Sequence, residues 1–248
     1  MRYRRAGILG GMGPAATIRL YEEITARTPG RNDQDHLPLL IDSSPQIPDR
    51  TDALLHGGAD PLPDLVASVR RLVAAGADFL AIACNTAHAW YDPIVEASPV
   101  PVLHLIRIAA AACRRQLPAG APVGVMATHG TVASGLYQAA LREASLVPLL
   151  PCDAGAVGIM QAIRLVKAGG QANLQQATKL ARSQADALAG QGAKVVLLGC
   201  TDLSVILRDG DSAVPVVDST IALAEQIVAI ATGQVAWEMV VKASGAAR

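Results

Sequence analysis

Two cysteines each stand directly behind an apolar run. "FLAIACNTAH" covers Phe79 to His88 with Cys84 inside it, and "VVLLGCTDLS" covers Val195 to Ser204 with Cys200. A small polar pair follows each one, Asn85-Thr86 in the first case and Thr201-Asp202 in the second. In open parallel sheets, ligands collect at the carboxyl ends of the strands, where loops lead into helices. Asn, Thr and Asp readily begin a helix, and a thiol at such a start meets free N–H groups that favour the thiolate. Two facing thiols suit one reaction in particular, inversion of a stereocentre by proton transfer. One group removes a proton from one face while its partner delivers a proton to the other. The roles exchange in the reverse direction, so the two groups should be alike. A thiol, with a reference pKa of about 8.5, fits that use, and a disulfide between the pair is the competing one. Cys113 and Cys152 are read as small buried hydrophobes, the commoner fate of a free cysteine.

Arg50 in "PQIPDRT" and Lys167 in "RLVKAGG" lie 117 positions apart. Taken singly, each reads as a solvated or helix-end charge; as a pair flanking a cleft, they would suit a dicarboxylate. "GILGGMGPAAT" contains Gly11-Met12-Gly13-Pro14-Ala15-Ala16, a loose G-x-G-x-x-A dinucleotide loop, with Asp42 at the next strand end as a ribose partner. Nothing downstream supports a nicotinamide. The loop around Met12 is therefore read as backbone donors facing a carboxylate, with Pro14 in the first helical turn. "MATHGTVASG" offers Thr128, Gly130 and Thr131 at another strand end, either as carboxylate contacts or as an ordinary helix cap. His88 follows Cys84 by four, but no partner has metal-ligand spacing, and it reads as a structural histidine. His36, His56, His104 and His129 form no recognisable cluster. No metal and no cofactor are expected.

The 21 basic residues balance 21 acidic ones among 248, leaving no surplus to hold a nucleic acid or an anionic membrane. With 51% hydrophobic residues, a sizeable core can form, and a small metabolite is the better partner. The start, "MRYRRAGILGG", is poor material for a signal peptide, and no run approaches the roughly 18 apolar residues that span a bilayer. Reduced thiols in the cytoplasm are the expectation.

Nearly all-apolar short runs at 6–9, 37–42, 79–83, 102–105, 123–126, 146–150, 195–198 and 214–217 read as strands covered on both faces. Amphipathic stretches between them read as helices, such as "PLPDLVASVRRLVAAGAD", with Leu65, Val69, Leu72 and Val73 on one face and Gly76 as C-cap. The alternation predicts an α/β fold with parallel sheets. The chain also repeats itself: Gly7 matches Gly124, Cys84 matches Cys200 and Pro101 matches Pro215, at offsets of 117, 116 and 114. That order predicts two pseudo-symmetric domains, each a parallel β-sheet flanked by helices, with the active-site cleft between them. If the "VPV" strands cross between halves, residues 1–103 plus 212–248 form the first domain, carrying Cys84, and 104–211 the second, carrying Cys200. A single wide sheet is the plainer alternative.

The stretches "GILGGMGPAAT", "PQIPDRT", "GADFLAIACNTAHA", "GTVASGLY", "VKAG", "GCTDLSV" and "VPVVDST" resemble the cofactor-independent aspartate/glutamate racemase superfamily, across essentially the whole chain. "PQIPDRT" with "CNTAHA" is most similar to its aspartate racemase branch. The resemblance implies two similar α/β domains, a homodimer, and Cys84 and Cys200 as an acid/base pair acting on an acidic amino acid such as aspartate. It further implies substrate contacts from Asn85, Thr86, Arg50 and Lys167, with Thr128, Gly130, Thr131 and Thr201 around a carboxylate. The superfamily commonly has Glu after "GCT", where this chain has Asp202. Alternatives are a dicarboxylate decarboxylase or isomerase on the same fold, and a non-catalytic amino-acid binder.

Overall fold

The computed structural model describes residues 3–28 and 30–244. Among the described residues there are eight short strands: β1 (Ala6–Gly10), β2 (Leu39–Ser43), β3 (Phe79–Ile82), β4 (Val102–Leu103), β5 (Pro122–Met126), β6 (Val147–Leu149), β7 (Val195–Leu198) and β8 (Val216–Asp218). They form two parallel four-stranded sheets, ordered β2-β1-β3-β4 and β6-β5-β7-β8. The second order is the first shifted by four strands. The repeat read in the sequence is therefore a repeat of topology, and the single wide sheet is ruled out.

Helices cover both faces of each sheet. In the first half these are α1 (Pro14–Arg27), α2 (Arg50–Leu55), α3 (Leu62–Ala74) and α4 (Tyr91–Glu96). The second half has α5 (Leu105–Gln116), α6 (His129–Ala133), α7 (Leu136–Glu143), α8 (Asp153–Ala168) and α9 (Gln171–Gly190), followed by α10 (Ser219–Ala231) and α11 (Trp237–Ser244). On one face of the first sheet, Ile8, Phe79 and Ala81 pack with Leu20 and Ile24 of α1 and Leu223 and Ile227 of α10. On its other face, Leu80 and Ile82 meet Leu65, Val69 and Leu72 of α3. The second sheet is layered likewise, by α5 and α7 on one side and by α8 and α9 on the other. Each fully buried Leu, Ile or Phe in these layers contributes roughly 1.5–3 kcal/mol by leaving water.

Two glycines show why the repeat begins where it does. A Cβ on Gly7 would come within 2.9 Å of Ala77 Cβ and 3.3 Å of Leu72 Cβ. On Gly124 it would lie 3.1 Å from Ala193 Cβ and 3.0 Å from Leu188 Cβ. In both halves the central strand lacks a side chain so that the helix before the cysteine strand can press close.

The expected partition needs one correction. β8 pairs with β7 and stays in the second sheet, with Val216 opposite Val196, so residues 212–218 do not join the first unit. The strands do not cross; the helices behind them do. α5 leaves β4 of the first sheet and buries Ile106, Ala109 and Cys113 against the second, while α10 leaves β8 and buries Leu223 and Ile227 against the first. Asp218 caps α10 by accepting from Thr220 and Ile221 N–H, which fixes the turn at the crossing. Positions 1–2, 29 and 245–248 of the expected partition lie outside the described residues.

Candidate active site

Cys84 lies two residues past β3 and Cys200 two past β7, so matching strand ends point into the space between the sheets. Both thiols line one cavity of about 300 Å³, within the range of small-ligand sites. Both are free and buried, and no disulfide joins them. Met12, Arg50, Asn85, Thr86, Thr128, Lys167 and Thr201 line the same cavity.

The cations are held differently. Arg50 opens α2, behind an Asp49 N-cap, and its guanidinium donates to the carbonyls of Ile47, Pro48 and Met12 at 3.0, 2.8 and 3.2 Å. Its Nε is buried and has no partner in the protein. Lys167, in the last turn of α8, pairs with Asp202 Oδ2 at 2.9 Å. Burial works against the Lys167 charge, but the acidic groups facing it, the Asp202 carboxylate foremost, outweigh burial and raise its pKa. Asp202, only 2% exposed, also receives the Cys200 S–H at 3.8 Å.

Cys200 does not see the helix-end field expected from its sequence. A single 3-10 turn, Leu203–Val205, follows it, and Asp202 at the turn's start makes no capping bond. Burial first, and then the Asp202 carboxylate, push the Cys200 thiol far above its ordinary pKa, against a smaller opposing pull from Lys167. The turn after Cys84 is likewise a short 3-10 segment, Thr86–Trp90.

His88 occupies the structural role assigned to it. Its Nε2 accepts from the Leu105 N–H at 3.0 Å, which leaves Nδ1 to donate to the Cys84 carbonyl at 2.9 Å. Burial holds its pKa down at about 4, despite the backbone bonds, so the ring stays neutral. His104 packs beside it: its ring stands 5.1 Å from that of His88 and 4.2 Å from that of Tyr91.

The threonines knit the halves together. Thr86 Oγ1 lies 3.0 Å from Thr128 Oγ1 and 2.8 Å from Thr131 Oγ1, and Thr128 lies 3.0 Å from Thr131. Thr128 also caps α6 by accepting from the Thr131 N–H. Thr131 and Gly130, expected among the substrate contacts, do not line the cavity. Thr131 is the buried corner of the hydroxyl triangle, and Gly130 is where α6 meets Thr51, 2.9 Å from a would-be Cβ. Cys152 is exposed rather than buried, because it forms the N-cap of α8; Cys113 is fully buried, and burial lifts its thiol to about 12.

The glycine loop and Asp42, weighed in the sequence as a dinucleotide site, both have protein partners. Asp42 accepts from Arg71 Nη2 at 2.7 Å and from Arg71 Nε at 3.2 Å, so the proposed ribose partner is engaged. Gly11 presses on the Ser44 backbone, and Gly13 faces Asp202 with 3.1 Å from its would-be Cβ to Oδ1. Both glycines thus serve close packing of the loop on neighbouring protein, while Met12 between them lines the cavity.

Further lining residues went unread in the sequence. Met160, Ile163 and Arg164 line the cavity beside Lys167. Their spacing from it, at i−7, i−4 and i−3, is one helical stripe, and that was the available signal. Asp49, Thr51, Asp52 and His56 enter around α2.

Two like-folded α/β halves thus each present a thiol to one cavity. Residues 9–227 match the Asp/Glu/hydantoin racemase family; the chain belongs to it and is an isomerase, an amino-acid racemase. It is 28% identical over 227 residues to the broad specificity amino-acid racemase RacX of Bacillus subtilis, covering 90% of this chain and 96% of that one. Among solved structures, an aspartate racemase of Picrophilus torridus superposes with a TM-score of 0.77 at 28% identity, covering 98% of this chain and 94% of that one. A glutamate racemase of Francisella tularensis shares the fold, with a TM-score of 0.63 at 16% identity over 94% of this chain and 83% of that one. Among the described residues, no helix is long and apolar enough to cross a membrane.

Proposed function

We propose that this racemase interconverts L- and D-aspartate, or a close acidic amino acid, with Cys84 and Cys200 as the two acid/base groups. The observation that carries the reading is one cavity holding both free thiols together with Arg50 and Lys167. Cys200, protonated at rest because burial and Asp202 oppose its thiolate, is the acid for one direction. The Cys84 thiolate then takes the Cα proton, and the electron pair is held by the adjacent carboxylate as an enolate-like anion. Cys200 returns a proton to the opposite face, becoming thiolate as Cys84 becomes thiol, so every proton is accounted for. The reverse direction exchanges the roles. The cationic wall of Arg50, Lys167 and Arg164 favours carboxylates over neutral side chains. Asp202 shares Lys167 and leaves it two ammonium N–H groups to offer. Four cysteines outside any disulfide suit a cytoplasmic setting, and the family resemblance implies a homodimer.

The test is a chiral assay of the purified chain against all the common amino acids. Aspartate or glutamate should be converted fastest. Fastest conversion of a neutral or basic amino acid overturns the substrate, and no conversion of any overturns the function.

A further inference from the structure

We infer that Tyr137 is a positioning residue for both thiol-bearing loops, acting at the Cys84 end through the amide of Asn85 and at the Cys200 end through Gly199. The side chain is fully buried at the start of α7, in the second half. Its phenol donates to Asn85 Oδ1 at 2.5 Å, and Asn85 Nδ2 donates onward to Ser219 Oγ at 3.3 Å. Against the other loop, a Cβ on Gly199 would stand 2.7 Å from Tyr137 Cε2, so the ring occupies the place a side chain there would need. One residue thus touches the neighbour after Cys84 and the neighbour before Cys200.

A second strut runs the opposite way. Thr201 Oγ1 donates to the carbonyl of Ala83 at 3.3 Å, joining the residue after Cys200 to the residue before Cys84. With both in place, each thiol is flanked on both sides by a tie to the other loop, and the span between the sulfurs is held from two corners. Burial keeps the phenol protonated, so it remains a donor at any working pH. Asn85, with Oδ1 held by Tyr137 and one N–H by Ser219, has one amide N–H left for the cavity that it lines. Loss of the phenol frees the amide to turn and present its oxygen, which would repel a carboxylate. The position of a reacting group matters steeply, since a displacement of about 1 Å can cost on the order of 10²-fold.

Tyr137→Phe keeps the ring and removes only the hydroxyl. The turnover arm of the test rests on the racemase reading; the second arm does not. Turnover should fall about tenfold in kcat/KM in both directions, the loss expected for one buried hydrogen bond. The rate of Cys84 alkylation by iodoacetamide, followed by peptide mass spectrometry, should change by about threefold or more. In an Asn85→Ala background the same substitution should leave both readouts where Asn85→Ala alone puts them, because the route through the amide is gone. Parental turnover and alkylation in Tyr137→Phe overturn the inference, as does an undiminished loss in the Asn85→Ala background. If the parent racemises no amino acid, the function reading fails, while alkylation still decides the role of Tyr137. Tyr137→Leu, which empties the space against Gly199, should quicken Cys200 alkylation as well; should it not fold, Tyr137→Phe stands as the test.

Discussion

The two halves share strand order, a glycine on the central strand and a thiol at the same strand end, yet they surround those thiols differently. Cys84 has its carbonyl held by a neutral His88, itself tied to the start of α5. Cys200 has its S–H directed at Asp202, which is paired with Lys167. The repeated fold therefore supplies the positions, while the side chains packed around each thiol differ between the halves, and at Cys200 they oppose the thiolate. A duplicated scaffold can in this way present two like groups in unlike surroundings.

The sharpest way to break that comparison is to remove each thiol in turn. Cys84→Ala and Cys200→Ala should each lower racemisation by about 10³-fold or more, since general acid/base groups contribute about 10²–10⁴. Polarimetry or chiral chromatography reads it, and a strongly unequal loss would mean that one thiol does not transfer the proton.

Next in size is the brace behind Cys84. His88 has a folded pKa of about 4, against about 6.5 when unfolded. The unfolded chain binds more protons between those values, so stability falls as pH drops from 6.5 toward 4, by about 3 kcal/mol from this residue. Urea unfolding at pH 7 and pH 4 measures it. His88→Asn should flatten that slope, and an unchanged slope would remove His88 as its source.

Gly7 and Gly124 compare the halves in packing alone. The would-be Cβ contacts are tighter at Gly7, with Leu80 Cδ2 at 2.7 Å against a closest 3.0 Å at Gly124. Gly7→Ala should cost about 1–3 kcal/mol, and Gly124→Ala less. The reverse order in thermal unfolding would show that the first half gives way more easily than its packing suggests.

The smallest effect is the most particular to Cys200. Asp202→Asn removes a negative charge and should lower the pH midpoint of Cys200 alkylation by about one unit, while Lys167→Met removes a positive one and should raise it by a similar amount. Shifts of the same sign would mean that the charges act through geometry instead.

How much of this was legible follows from the range of each interaction. Apolar runs and their turn residues are local, so all eight strands and both thiol positions could be read from the sequence. Lys167 emerged because it shares the offset of Arg50, yet the rest of its helical stripe was left unread. The partner of Tyr137 lies 52 positions away, and nothing in "GTVASGLY" says which hydroxyl will meet which amide. α10 illustrates the same limit: its composition marks a helix buried on most sides, but only the packing tells which sheet receives it. Asp202 was noticed as a departure from the family pattern. That its carboxylate would stand between Lys167 and Cys200 is a matter of side-chain direction, which sequence spacing does not carry.

The most direct test of the two-thiol site is deuterium exchange at Cα of aspartate in D₂O, run from each enantiomer with the parent, Cys84→Ala and Cys200→Ala. Two facing thiols predict that the parent places solvent deuterium in the product enantiomer from either side. Each single variant should stop racemising, and any washout that survives should come from one enantiomer only, opposite for the two variants. Racemisation at the parental rate in either variant, or washout from the same enantiomer in both, would contradict it.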